Sequence, residues 1–326
     1  MCVMSVMPTS SPFGQCAERR ESFVGWHMAV VAKACLACLF LAASAGAGEP
    51  TGQTGSFEGV FAERCAASRV ENIFARMGHR GRTNQSLGND YRIADERFAV
   101  YVPSGYSGDT AYGLLVWISA GERGDMPTGW GALLARHKLI WVGAHRSGNR
   151  HNVPGRRMAL ALDAVHNMRK QYNIDPNRIY VSGISGGGRT ASILAIHYPD
   201  IFAGGVFVVG AEYWEAIPAV GKPGQMWKPA PKPQPQYLAM ARQRGRYVLL
   251  TGDNDFNRQQ TRDYYEKGYK KDLRHVLYLQ VPGMGHEMPP AAWYEKAIVF
   301  LDTATVSAER PTPEKPSSQS SQRSPR

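Results

Sequence analysis

Cysteine is nearly missing from most of this 326-residue chain. Of five cysteines, Cys2, Cys16, Cys35 and Cys38 crowd the first 38 residues, and only Cys65 follows. No internal disulfide can therefore brace the rest of the chain, whose stability must come from an apolar core. A lone thiol in an amphipathic stretch is read as packing rather than as a nucleophile. Long apolar runs are also scarce. The one run, Ala34 to Ala43, is too short to span a bilayer as a helix, which excludes a polytopic membrane protein. There is no Gly-X-Y period, no sustained heptad and no internal repeat, so collagen and coiled coil are excluded. No His/Cys/Asp cluster has metal-ligand spacing, and neither a metal nor an organic cofactor is expected. Lys and Arg outnumber Asp and Glu by 38 to 27, but the excess of +11 is scattered and lacks long basic runs. A generally basic protein, with no nucleic-acid partner, is the expectation.

What is present suffices for a globular fold: 43% hydrophobic against 20% charged residues excludes wholesale disorder. From Met28, an alternative start, the chain reads Lys33, the apolar run, then small residues, the order of a secretory signal peptide. Cleavage is expected after Ala45 or Ala47, giving a secreted or periplasmic protein with no stable membrane insertion. In the last twenty residues, ten are Ser or Pro without apolar period, as in a disordered tail. The expected organisation is a signal region over 1–47, a Gly-rich leader over 48–95 packing on the domain, a domain over 96–305 and a tail over 306–326.

Short β-branched or aromatic runs recur through that domain, at 98–102, 113–118, 139–142, 178–181, 206–209, 247–250 and 276–281. Most are apolar on both faces, as buried parallel strands are. Between the third and fourth, Met158, Ala161, Leu162, Val165, Met168 and Tyr172 have helical spacing, and Pro176 follows as a stop. The pattern predicts an α/β fold: a mostly parallel central sheet with helices on both faces. In such sheets chemistry sits in the loops beyond the strands' carboxyl ends.

The loop after Val181 reads Gly183-Ile-Ser185-Gly186-Gly187, a G-x-S-x-G motif between a strand and a helical run. A nucleophilic serine needs this sharp turn to expose its Oγ, and flanking glycines let strand and helix approach. The Gly186 amide would then face a developing oxyanion. Gly183-x-x-x-x-Gly188-Arg189-Thr190 is also one substitution from a phosphate-binding loop. Arg189 stands where that loop needs lysine, and no strand is followed by a convincing magnesium-binding aspartate.

A serine nucleophile needs a base and an orienting acid, and where the serine stands on a G-x-S-x-G turn between strand and helix these partners follow in the chain order Ser, acid, His. Of the later histidines, His197 ends the elbow helix, where a surface or cap role is expected, and His275 opens a strand. His286, on the Gly-rich turn after the last strand, is the expected base. Asp253 and Asp255 both follow the preceding strand, one to orient His286 and the other to cap the next helix. Glu212 is a third candidate.

Arg178-Ile-Tyr-Val-Ser-Gly-Ile-Ser-Gly-Gly-Gly, with Tyr172-Asn-Ile-Asp-Pro-Asn177 before it and Tyr198-Pro-Asp-Ile-Phe-Ala203 after it, resembles secreted α/β-hydrolase esterases, most of all the polyhydroxybutyrate depolymerase and feruloyl esterase group. The resemblance covers roughly 97–302 and implies an α/β-hydrolase fold and an ester substrate, polymeric or small. The group's acid lies in an H-G-x-x-D stretch, here Thr251-Gly-Asp-Asn-Asp255, which selects Asp255. Its oxyanion loop carries His-Gly where this chain has Ser119-Ala120-Gly121, so the second oxyanion amide falls to Ala120 or Gly121. Trp214 and Trp227, which precede a Pro-rich run over 228–235, are candidate substrate-binding residues or cover for the core. The resulting expectation is a serine esterase using Ser185, His286 and Asp255. The alternatives are a non-catalytic binding protein on the same scaffold and a serine peptidase of the same fold.

Overall fold

The computed structural model describes residues 52–78 and 91–306. The expected signal region with its four cysteines, and the tail beyond residue 306, lie outside the described residues. Strands β1 (Gly55–Gly59), β2 (Phe98–Val102), β3 (Tyr112–Ile118), β4 (Leu139–Ala144), β5 (Ile174–Ile184), β6 (Gly204–Val208), β9 (Arg246–Gly252) and β10 (His275–Val281) form one sheet; β7 (Ile217–Pro218) and β8 (Met226–Trp227) form a small antiparallel ladder. The large sheet runs in the order β1-β2-β4-β3-β5-β6-β9-β10.

All residues of β3, β4 and β6 are buried, as their unbroken apolar runs require. Successive side chains of β3 go to opposite faces. Leu114 and Val116 join Val142, Val181 and Phe207 under helices α3 (Ala159–Gln171) and α4 (Gly186–His197). Leu115 and Trp117 join Trp141, Tyr180 and Val248 against α2 (Gly131–Arg136) and α7 (Ala291–Val306). The helix expected from residue 157 begins as a wider π-type turn, Val153–Met158, capped by the Asn152 side chain accepting from the Gly155 amide at 2.8 Å.

One strand departs from the parallel expectation. β2 pairs antiparallel with both β1 and β4. Its sequence, Phe-Ala-Val-Tyr-Val, alternates between buried and half-buried residues, the pattern of a strand with one open face. Only nine residues link it to β3, too few for a helical crossover.

The strand β1 extends the sheet from a segment whose sequence shows little pattern, and α3 holds that segment in place. Asp163, wholly buried, accepts from the Cys65 amide at 2.8 Å and the Tyr91 hydroxyl at 2.6 Å. Burial pushes the Cys65 thiol up to about 11, so it stays protonated at neutral pH. Asn167 donates to the Glu63 carbonyl at 2.7 Å. Asp163→Ala strands two enclosed donors and is expected to cost about 3 kcal/mol. A lower urea midpoint at unchanged m-value is the expected result; an unchanged midpoint would remove Asp163 from this role.

From β3 to β10 neighbouring strands of the sheet run parallel, β5 beside β6, β6 beside β9 and β9 beside β10. The loops leaving β5, β9 and β10 therefore open on the same edge of the sheet.

Candidate active site

Ser185 stands between the end of β5 and the first residue of α4, at φ 55° and ψ −120°. This backbone region is costly for a residue with a Cβ and persists only where the surroundings enforce it. Here the Ser185 amide donates to the Val208 carbonyl at 2.8 Å, and its own carbonyl accepts from the Arg189 amide at 3.0 Å. Gly187 lets the helix start press on the end of β3, since a Cβ there would overlap the Ile118 carbonyl oxygen.

His286 reaches the serine from the loop after β10. Its Nε2 lies 2.8 Å from Ser185 Oγ and its Nδ1 2.7 Å from Asp255 Oδ1. An ionised carboxylate only accepts, so Nδ1 carries the proton and Nε2 is left to accept from the serine hydroxyl. Asp255 is buried. Its Oδ2 accepts from the Thr251 hydroxyl at 2.6 Å and its Oδ1 also from the Asn257 amide at 3.1 Å. The loops bearing Asp255 and His286 meet at Gly252, where a Cβ would overlap the Met284 carbonyl oxygen.

The other candidates lie elsewhere. Asp253 makes no hydrogen bond or ion pair with His286 among the described residues, and its Oδ1 is enclosed with no hydrogen-bond partner there. Neither aspartate caps helix α6 (Arg258–Tyr264) from the cap position, which Asn257 holds. Glu212 pairs with Arg189 at 2.7 Å; burial nevertheless raises its carboxyl pKa above the usual range. His197 is not a surface residue: it is buried, with Nδ1 2.8 Å from the Ile193 carbonyl. His275 lies at the far end of β10.

On the oxyanion side, the Gly121 amide donates to Ser119 Oγ at 3.0 Å. The Ala120 amide has no acceptor among the described residues, although the Ala120 carbonyl accepts from the Asn149 amide at 2.9 Å. Trp214 is buried against Tyr213 and Tyr269, and the Trp227 indole donates to Asp263 at 2.9 Å. Neither lines the cavity beside Gly186, whose wall includes Lys228, Pro229 and Ala230 of the Pro-rich excursion. Sequence reasoning passed over Phe256, which is 77% exposed and stacks on the His286 ring at 4.0 Å between centroids. Its only signal was its position directly after Asp255. Among the described residues no group of three or more His, Cys, Asp or Glu side chains could hold a metal ion.

The model of the prolyl oligopeptidase family matches residues 149–306, the stretch that carries Ser185, Asp255 and His286. The fold is that of the α/β-hydrolases. Among curated proteins, the poly(3-hydroxyalkanoate) depolymerase C of Paucimonas lemoignei is 35% identical over 99 residues, which is 26% of this chain and 24% of that one. A probable acetylxylan esterase A of Aspergillus flavus is 37% identical over 60 residues, 18% of this chain and 19% of that one. The chain thus spans about a quarter or less of the length of these relatives. Among solved structures, an S-formylglutathione hydrolase of Staphylococcus aureus is similar at 14% identity and a TM-score of 0.47, over 63% of this chain and 92% of that one. The resemblance to polyester depolymerases drawn from the elbow and its flanks is met by the match to the poly(3-hydroxyalkanoate) depolymerase.

Proposed function

We propose that the protein is an exported serine hydrolase of carboxylic esters, working through Ser185, His286 and Asp255. The observation that carries this reading is the unbroken pair of hydrogen bonds, 2.8 and 2.7 Å, from Ser185 through His286 to Asp255. Ser185 Oγ attacks the ester carbonyl while His286 Nε2 takes its proton, and the adjacent carboxylate stabilises the imidazolium. The carbonyl oxygen, now an anion, is held by the amides of Gly186 and Ala120. Gly121 is spent on Ser119, which makes Ala120 the better second donor. Collapse expels the alcohol, which receives the proton from His286, and leaves an acyl-serine. Water, activated by the same histidine, releases the acid. Export follows from the signal-like segment at 28–47.

A fluorophosphonate probe tests the nucleophile. The expected result is one adduct, found on the peptide holding Ser185, together with turnover of a short-chain aryl ester. A folded protein with neither adduct nor turnover would sink the reading and leave a binding protein on a hydrolase scaffold. The family description favours a second reading, peptide hydrolysis by the same serine. A peptidyl-proline anilide cleaved faster than the ester would decide for it.

A further inference from the structure

A cavity of about 480 Å³ is lined in part by Gly186, the residue that follows Ser185 in the chain. Its charged lining is lopsided: Arg157, Arg189 and Lys228 face a single carboxylate, Glu212. Arg189 accounts for that carboxylate, holding Glu212 with Nη1 and reaching Asn257 and Gln260 with Nη2. Lys228 is exposed and its ammonium has no partner among the described residues.

Arg157 is the unusual member. It is 4% exposed and has no carboxylate within ion-pair distance among the described residues. Nε donates to the Ser147 carbonyl at 2.8 Å and Nη2 to the Ser119 carbonyl at 2.9 Å. Nη1 has no hydrogen-bond partner there and is not among the fully enclosed polar atoms, and Arg157 is one of the residues that line the cavity. Burial pulls the guanidinium down to about 10, so it still carries its charge at neutral pH. A buried cation without a counter-ion is costly unless something anionic joins it. A planar guanidinium with one free edge is suited to a carboxylate.

Resting on the esterase reading, the geometry points to substrates that carry a free carboxylate besides the scissile ester, seated in this cavity against Arg157 Nη1 with Lys228 at the rim. The neutralised positive lining then helps select acidic esters, such as the end of a hydroxy-acid chain or an acid-bearing ester of a sugar. Both share one chemistry, a carboxylate a few bonds from the ester.

The test compares each acid with its own methyl ester, so that shape stays nearly constant while charge is lost. Mono-4-nitrophenyl adipate against methyl 4-nitrophenyl adipate places the carboxylate on the acyl side. 4-Acetoxybenzoate against methyl 4-acetoxybenzoate places it on the alcohol side, and phenol release is followed in all four. In at least one pair the acid is expected to have about tenfold higher kcat/KM, chiefly through KM, and to lose the advantage as salt rises. Arg157→Met brings that ratio close to one, and Lys228→Met lowers it about two- to threefold. A merely structural role for Arg157, steadying the Ser119 loop, would lower all four rates together and leave the ratio in place.

A ratio at or below one in both pairs, with the methyl esters still cleaved, overturns the proposal and spares the esterase reading. A ratio that survives Arg157→Met in folded protein also overturns it. Should that variant fail to fold, Lys228→Glu on the surface decides, since the ratio must fall if the carboxylate sits there. Absence of turnover in all four, with no fluorophosphonate adduct on Ser185, would instead remove the esterase reading itself.

Discussion

Ser185→Ala and His286→Ala are each expected to lower kcat for a short-chain aryl ester by about 10⁵–10⁶-fold, and the double variant by no more than either alone. The reason lies in how the three groups are joined. His286 Nε2 can do its work only on the oxygen 2.8 Å away, and that oxygen is a poor nucleophile without the imidazole. Removing either atom removes the proton transfer, so nothing remains for the second substitution to take away. In the proposed mechanism the residual rate comes from the amides of Gly186 and Ala120, which both variants keep. Single-turnover kinetics on purified variants, with circular dichroism to confirm folding, give the numbers. Losses that multiply in the double variant would mean that Ser185 and His286 act separately. A Ser185→Ala protein retaining a tenth of the activity would move the nucleophile elsewhere.

The parts of the molecule differed in how openly the chain displayed them, and the difference is physical. Seven of the eight strands in the large sheet were legible as short β-branched or aromatic runs, which in β3, β4 and β6 are unbroken because both faces are buried. The eighth, β1, reads Gly-Ser-Phe-Glu-Gly: it lies at the sheet's edge and is held by backbone pairing, which leaves almost no side-chain signature. Strand direction was less legible. The alternation in β2 was present, but its meaning depended on β4, some forty residues later. Ser185 and His286 could be found because tight turns after strands demand glycine, and glycine is visible.

Choosing among residues of the same type was harder. Asp253 and Asp255 lie two apart on one turn, and only the fold decides which carboxylate meets the histidine and the Thr251 hydroxyl. Arg157 was invisible for a related reason. It sits just ahead of an amphipathic helix, where an arginine is normally solvated, and the carbonyls that enclose it come from residues 119 and 147. Trp214 drew notice as an aromatic, yet the tertiary packing gives it to the core, and the cavity beside Gly186 is built from residues spread over about eighty positions.

Asp255→Asn is expected to lower kcat by about 10⁴-fold, while Asp253→Asn stays within about threefold of the parent. The substitution at 255 keeps the shape of the side chain and most of its hydrogen bonds. Thr251, which now donates at 2.6 Å, can rotate its hydroxyl to accept from the new amide, and the Asn257 amide at 3.1 Å keeps an oxygen to bond. What disappears is the negative charge 2.7 Å from His286 Nδ1, together with the certainty that Nδ1 carries the proton. An amide that turns its NH₂ toward the ring favours the opposite tautomer, in which Nε2 bears the proton and can no longer take one from Ser185. Even in the correct tautomer, the imidazolium formed during attack loses its neighbouring anion. A 10⁴-fold loss corresponds to about 5.4 kcal/mol of barrier, more than one ordinary hydrogen bond supplies. Asp253 is hydrogen-bonded to neither ring nor serine, and neutralising its enclosed oxygen removes nothing from the proposed transition state. Equal losses at both positions would make the effect one of loop structure, and a loss confined to Asp253 would reassign the acid.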